Sequence, residues 1–144
     1  MLAVALISAL SCGKEDIEDL NVEDRITFVG TVSVDFEGET FDNENIKVSY
    51  TPSVDGLTAS IDIYRIKFVP KMPVRVNVTI PGIHVLTTEP DITFEVDGIN
   101  PLSLGGEFKT YHVTELVGSI SGENISFSLN FGEYPTRYKG KLMS

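Results

Sequence analysis

The chain has 144 residues, of which 42% are hydrophobic, and it carries 11 Lys or Arg against 21 Asp or Glu, with one Cys and no Trp. This is the composition of one globular domain that can bury a core without disulfides or a structural metal. The formal net charge of −10 argues against a nucleic acid or an anionic membrane held by net electrostatics. We therefore expect no nucleic-acid partner.

The chain begins with an apolar segment, residues 1–11 (MLAVALISALS), that is too short to cross a bilayer of about 30 Å as a helix. Such a segment is typical of the apolar core of an export signal. The single cysteine, Cys12, follows at once, and the run Ala9-Leu10-Ser11-Cys12 resembles a bacterial lipobox. The resemblance implies that residues 1–11 are a signal peptide and that Cys12 carries a lipid anchor in a membrane. The alternative is an ordinary thiol behind a buried apolar segment.

Residues 12–25 are predicted to be the lipidated Cys and an acidic, flexible stalk. Residues 13–25 carry six acids against two bases, and such a segment cannot bury enough apolar surface to offset its ordering entropy. The run Lys14-Glu15-Asp16 resembles the short acidic export signal of Bacteroidetes lipoproteins that are sent to the outside of the outer membrane. That resemblance implies a lipid-anchored protein of the bacterial outer membrane, exposed at the cell surface.

Residues 26–144 are predicted to be one all-β domain, because apolar and polar side chains alternate there with a period of two. The strands are expected at 26–36, 46–50, 58–69, 74–80, 92–96, 107–120, 125–131 and 136–142. Glycine and proline turns lie between them, for example at Pro81-Gly82. Irregularities are expected at Gly30, near Ile63 and between Val113 and Leu116, where a glycine or a change of phase interrupts the alternation.

Eight or nine strands joined by short turns have two good ways to protect their edges, a closed barrel or a two-sheet sandwich. The even spacing of the turns and the long, phase-shifted strands favour an up-and-down antiparallel barrel with bulged strands. The sandwich is the alternative.

Three stretches of this region carry a family resemblance: residues 72–83 (MPVRVNVTIPGI), 105–118 (GGEFKTYHVTELVG) and 125–140 (ISFSLNFGEYPTRYKG). In this order they resemble the calycin-like (lipocalin-like) β-barrel domain of Bacteroidetes lipoproteins. The resemblance covers residues 28–142 and implies a relative of the lipocalin, fatty-acid-binding and avidin barrels. It implies no particular activity and no site residues.

The sequence offers little for catalysis or metal binding. The run 118–122 (GSISG) has Ile120 where the Gly-x-Ser-x-Gly motif places its nucleophile. His84 and His112 lie on separate strands without suitably spaced partner ligands. Pairs of strand carboxylates could meet at a barrel mouth, but the sequence selects none of them. We expect no enzyme, no cofactor and no metal site.

Two binding hypotheses remain, because the interior of an eight-stranded barrel is either just filled by side chains or holds one small ligand. The candidate lining of an interior pocket for a small hydrophobic ligand is Phe28, Tyr50, Phe94, Tyr111, Phe127 and Tyr138. If side chains fill the axis, function moves to the rim loops, chiefly 37–45, 52–57 and 97–106. The last of these is the longest and most apolar, and Leu102 and Leu104 are its candidate contacts with a protein or glycan partner.

Overall fold

The structure is a computed structural model that describes residues 20–67, 75–103 and 106–143. Its strands are β1 Ile26–Phe36, β2 Glu39–Pro52, β3 Thr58–Ile66, β4 Val76–Thr87, β5 Ile92–Val96, β6 Leu102–Ser103, β7 Gly106–Glu107, β8 Val113–Ser121, β9 Asn124–Phe131 and β10 Tyr134–Leu142. Single 3-10 turns lie at Val22–Asp24 and Lys109–Tyr111. The predicted signal peptide, Cys12 and the first part of the stalk lie outside the described residues.

Eight of these strands close into an antiparallel barrel. Each strand from β1 to β4 pairs with the next, β5 pairs with β8, and β8 to β10 again pair in sequence. The last strand, β10, pairs with β1 and completes the ring. The predicted up-and-down barrel is therefore confirmed, and the sandwich alternative is wrong.

The predicted irregularities are β-bulges. The register shifts just after Gly30 in the β1–β2 pairing, just after Ile63 in the β3–β4 pairing, and between Thr114 and Val117 in the β8–β9 pairing. Within the second bulge, Arg65 has a left-handed φ of 59°. A bulge bends its strand and redirects the side chains around it, which allows long strands to curve around a small barrel.

Three predicted boundaries are wrong. The segment 37–45 is not a rim loop, because β2 begins at Glu39 and its polar residue Asn43 is buried and hydrogen-bonded within the sheet. Pro81-Gly82 is not a turn but a continuation of β4, in which Gly82 supplies the positive φ of 66° that an irregular strand needs there. Residues 107–112 do not belong to the long strand β8, since a 3-10 turn occupies Lys109–Tyr111.

One hydrophobic core fills the inside of the barrel. Four aromatic rings form a chain across it, with centroid distances of 5.5 Å from Tyr50 to Phe94, 6.5 Å from Phe94 to Phe127 and 5.2 Å from Phe127 to Tyr138. The Tyr138 hydroxyl donates a hydrogen bond of 2.9 Å to the backbone carbonyl of Ile46. Burying this phenol is tolerable because its hydroxyl has a partner.

Candidate functional site

The structure places five of the six predicted interior residues in the core. Phe28, Tyr50, Phe94, Phe127 and Tyr138 are each at most 4% exposed. Burial raises the pKa of the Tyr50 phenol to about 12, and it raises the pKa of Tyr138 as well. Four of these five rings contact one another rather than surrounding a space.

The surroundings of Gly118 show how tightly this interior is packed. It lies between Phe94 on β5 and Phe127 on β9 in the sheet. A Cβ atom added at Gly118 would lie 2.4 Å from the Cβ of Phe127 and 2.6 Å from a ring carbon of Phe94. Because real Cβ atoms do not approach so closely, the barrel has no room even for a methyl group at this level.

The sixth predicted residue, Tyr111, lies apart from the other five. Its ring centroid is 4.8 Å from that of Phe108 and 6.1 Å from that of Tyr134, which in turn packs against Phe36 at 5.6 Å. These half-buried rings lie where β1 ends and β10 begins. Partial burial, and secondarily the neighbouring Tyr134, raises the pKa of Tyr111. Tyr111 therefore belongs to an aromatic cluster at one end of the barrel.

The predicted rim contact Leu102 lies on the side of the barrel. It belongs to β6, where it pairs with Thr79 of β4, and the neighbouring Ser103 hydroxyl donates to the Asn77 carbonyl at 2.7 Å. Leu102 is half-buried in this position. Leu104 lies outside the described residues.

A wide groove, called here the outer groove, runs over the outside of strands β1 to β4 and has a volume of about 850 Å³. Most of its side chains alternate along their strands with core residues and so face away from the barrel axis. Its lining consists of Arg25, Thr27, Lys47, Ser49, Tyr64, Arg65, Arg75, Val76 and Asn77.

The β3 bulge positions two of the cations in the outer groove. The backbone N–H of Arg65, freed by the bulge, donates to the Asn77 side-chain oxygen at 2.9 Å. Arg75 donates from Nη1 to the Arg65 carbonyl at 3.1 Å. A positive φ is uncommon for a non-glycine residue such as Arg65 and persists only where the surroundings maintain it. Here the hydrogen bonds to Asn77 and from Arg75 hold the Arg65 backbone in place and so determine the position of both guanidinium groups.

Asn43 anchors the same region from β2. Its amide is buried, donates to the Lys67 carbonyl at 3.0 Å and accepts from the Lys67 N–H at 3.2 Å. The same Asn43 oxygen accepts a bond of 3.3 Å from Arg75. Asn43 therefore links β2, the end of β3 and the start of β4, and it makes this wall of the barrel a preorganised surface.

Hydroxyl groups form the floor of the outer groove. The Ser49 hydroxyl lies 3.0 Å from the Thr27 hydroxyl and accepts a long bond of 3.4 Å from the Tyr64 phenol. At the edge of the floor, Arg25 Nε donates to the Thr51 hydroxyl at 3.0 Å. The floor is therefore polar and uncharged, whereas the charges stand at its margins.

A narrower pocket of about 360 Å³, called here the side slot, adjoins the outer groove at Arg25, which lines both. Its lining is Leu20, Arg25, Ser53, Asp55, Thr58, Ala59, Ser60, Asp62, Thr79, Pro81, Gly82 and Leu102. The bridge between Leu20 and Ser53 brings the N-terminal segment to one side of the slot, and β6 contributes Leu102 to its lining.

Two carboxylates line the side slot. Asp55 accepts hydrogen bonds from the Ser53 hydroxyl at 2.6 Å and from the Leu57 N–H at 2.9 Å, and these bonds, in that order of importance, lower the pKa of Asp55. Asp62 is half-buried and accepts a short hydrogen bond from the Thr79 hydroxyl. Asp55 is thus held in its ionised, hydrogen-bond-accepting form.

The charge of the outer groove opposes that of the chain. Nine Lys and Arg residues fall within the described ranges, and four of them line this groove: Arg25, Lys47, Arg65 and Arg75. No Asp or Glu belongs to the same lining, although Glu44 stands with Lys47, Arg65 and Arg75 in an adjoining hollow and Asp62 pairs with the groove residue Ser49. A local concentration of positive charge attracts negatively charged ligands, even on a molecule whose net charge repels them.

The sequence did not predict the outer groove. Without knowledge of which strands are neighbours, the sequence could not place Arg25, Lys47 and Arg65 beside Arg75. The available signal was the presence of basic residues at outward positions of β2 to β4, in a chain with almost twice as many acids as bases.

The two histidines do not form a site together with metal ligands. The Nδ1 atom of His112 lies 2.6 Å from the Asn100 side-chain oxygen, and His84 lies opposite Glu95 in the β4–β5 pairing. Within residues 20–67, 75–103 and 106–143, no group of three or more His, Cys, Asp or Glu side chains is arranged to hold a metal. In the same ranges no helix is long and apolar enough to cross a membrane.

Comparison with known proteins yields no match: no family model, no curated protein and no solved structure matches this chain.

Proposed function

We propose that this chain is a membrane-anchored binding protein whose barrel binds an anionic ligand in the outer groove. The observation that carries the proposal is the set of four cations, Arg25, Lys47, Arg65 and Arg75, in a lining without an acid on a chain of net charge −10. Three of them are arginines, whose planar guanidinium groups match the geometry of carboxylate, sulfate and phosphate groups.

The shape of the site also supports binding. A volume of about 850 Å³ lies within the range of roughly 300–1,000 Å³ that ligand sites occupy. Lys47 and Arg65 belong to strands of a closed barrel, and Arg25 and Arg75 each directly precede a strand, so the barrel limits the movement of all four backbones. Such preorganisation favours binding, because the side chains of the site lose less conformational entropy when a ligand orders them.

The two binding hypotheses made from the sequence are not tested by the structure, and the structure supports them unequally. The small hydrophobic ligand inside the barrel stays a prediction, and the aromatic packing around Gly118 gives it no support at that level. The glycan or protein partner also stays a prediction, but we now propose the side of the barrel rather than the rim loops as its contact surface.

The proposed anion site is tested with dextran sulfate, using unsulfated dextran as the uncharged control. The variant Lys47→Gln/Arg65→Asn removes two groove charges, and asparagine tolerates the left-handed φ at position 65. The matched variant Lys139→Gln/Lys141→Gln removes two exposed charges from β10. Affinity for dextran sulfate is measured by titration calorimetry at rising salt concentration.

We expect the groove variant to lose at least about tenfold in affinity for dextran sulfate, because two direct charge contacts are removed. The β10 variant keeps nearly the wild-type affinity, and salt weakens all binding by screening. Equal losses in both variants would contradict the proposal, since they would show attraction to net charge rather than to a site.

Membrane anchoring is the second part of the proposal and rests on the lipobox resemblance at Cys12. Cys12→Ser should move the full chain from the membrane fraction of the producing bacterium to the soluble fraction, because acylation at this position becomes impossible. Unchanged partitioning would refute the anchor without affecting the anion site.

A further inference from the structure

The charge of the lining changes sign from the outer groove to the adjoining side slot. At one end stand Lys47, Arg65 and Arg75, with Glu44 in an adjoining hollow, and at the far end of the slot stands Asp55. Arg25 and Asp62 lie between them, since Arg25 lines both regions and Asp62 pairs with the groove residue Ser49. A ligand with anionic groups along its whole length would gain energy at the first end and be repelled at the second. A ligand that spans both must therefore be anionic at one end and carry no negative charge at the other.

The side slot suits an uncharged part that is rich in hydroxyl groups. Thr58, Ser60 and Asp62 alternate along β3 with core residues, so their side chains face the same side of the sheet as the slot. Across the pairing, the Thr79 hydroxyl is already donated to Asp62, which leaves the hydroxyl oxygen able to accept. The carboxylate has a second oxygen, which accepts hydrogen bonds strongly.

The flanks of the side slot are apolar. Leu20, Pro81 and Leu102 border it. A sugar ring has this same division, with hydroxyls around its edge and C–H groups on its faces. Polar groups that fix orientation, set among apolar groups that exclude water, are the usual construction of a small-molecule site.

We infer that the ligand is a saccharide with one anionic group, a carboxylate or a sulfate, which binds with its charged unit in the outer groove and its neutral sugar units in the side slot. The inference rests on the proposed function, because it extends the same anion site into the adjoining slot. Hydroxyl donors on the neutral units meet Asp55 and Asp62, while the anionic group meets the arginines.

An acidic peptide fits the same surface less well. Its carboxylates could pair with Lys47, Arg65 and Arg75, but continued acidic residues would meet the Asp62 carboxylate, which is held in place by Thr79. Like charges at such a partly buried position are costly. The peptide is therefore an outcome of the test rather than part of the inference.

The experiment compares the affinities of the full chain for three soluble probes: sialyllactose, free sialic acid and lactose. Titration calorimetry or chemical-shift titration gives their dissociation constants. We expect sialyllactose to bind at least about tenfold more tightly than sialic acid, because only sialyllactose occupies both regions. Lactose should bind most weakly, because it lacks the anionic group. Lactose sulfate, measured in parallel, distinguishes sulfate from carboxylate as the preferred group.

Two variants separate the two regions. Thr79→Val keeps the side-chain shape but removes the hydroxyl, and we expect it to reduce the affinity for sialyllactose to near that of sialic acid. Its affinity for sialic acid alone should not change. Lys47→Gln should weaken both anionic probes by a similar factor. Asp62→Asn provides a second slot variant if Thr79→Val alters the circular dichroism spectrum of the barrel.

The outcomes are distinguishable. Equal affinities for sialyllactose and sialic acid, with both weakened by Lys47→Gln, would overturn the saccharide inference and leave the anion site intact. Tighter binding of a glutamate oligomer than of sialyllactose would overturn it in favour of an acidic peptide. If neither the anionic sugars nor dextran sulfate depends on Lys47, the proposed function itself is wrong.

Discussion

Replacing Gly118 with alanine tests directly whether the barrel interior is filled. In the structure, the new methyl group would lie 2.4 Å from the Phe127 Cβ, and 2.6 and 2.7 Å from two ring carbons of Phe94. The Phe127 Cβ is fixed to the β9 backbone, and the Phe94 ring is only 1% exposed. Neither can move away without displacing a strand or neighbouring core residues.

Overpacking of this kind costs about 1–3 kcal/mol. The loss of glycine's freedom in the unfolded chain returns about 0.4–1 kcal/mol, so we expect Gly118→Ala to lower the free energy of unfolding by about 1–2 kcal/mol net. With a urea m-value of about 2 kcal/mol/M, the unfolding midpoint should fall by roughly 0.5–1 M. Because the chain has no Trp, the transition is followed by circular dichroism and by tyrosine fluorescence.

Gly106→Ala is the matched control, because a Cβ at Gly106 has no neighbour within 4 Å and the residue has no positive φ. We expect it to change the free energy of unfolding by less than about 0.5 kcal/mol. In a Phe94→Leu background the cost of Gly118→Ala should shrink, since the two closest ring carbons are absent. If Gly118→Ala is as mild as Gly106→Ala, the interior has unfilled space and the internal-ligand hypothesis regains its basis.

Three further predictions concern tyrosines and a surface ion pair. Burial raises the pKa of Tyr50 to about 12, above its value in the unfolded chain. The stability that the neutral phenol contributes is therefore complete below pH about 10 and is lost as the pH rises towards 12. We expect Tyr50→Phe to make the loss of stability at alkaline pH less steep, as followed by tyrosinate absorbance. Tyr138→Phe leaves the buried carbonyl of Ile46 without its donor and should cost about 1–3 kcal/mol in urea unfolding, and a neutral result would show that water replaces the phenol. The hydrogen bond from Arg137, and secondarily that from Thr40, lowers the pKa of Asp35. The ionised Asp35 therefore adds a small stabilisation of the folded state at neutral pH, which is lost as the pH falls through the folded-state pKa. We expect Arg137→Gln to reduce the difference in the free energy of unfolding between pH 7 and pH 3.

Much of the fold is predictable from the sequence because one face of nearly every strand is buried. The alternation from Ile125 to Phe131 corresponds to β9 almost residue for residue. Bulges are also detectable, since an extra residue reverses the phase of the alternation, as it does after Ile63. The segment 39–45 is not predictable in this way, because Asn43 occupies a buried position and its hydrogen bonds to Lys67 exist only in the folded barrel.

The candidate site is much less predictable, for a physical reason. Arg25, Lys47, Arg65 and Arg75 lie on or beside different strands, and their proximity depends on which strands pair and in which register. The bulge at Arg65 then decides where two of the guanidinium groups project from. Periodicity distinguishes inward from outward positions on one strand, but it carries no information about the neighbouring strand.

Closure of the barrel between β1 and β10 also determines when the chain can fold. The first strand of the ring pairs with the last, so neither edge of the growing sheet is satisfied until β10 has been synthesised. Pairing between segments so distant in sequence makes folding slow, typically milliseconds to seconds for all-β chains. The completed barrel therefore cannot form while β10 is still on the ribosome.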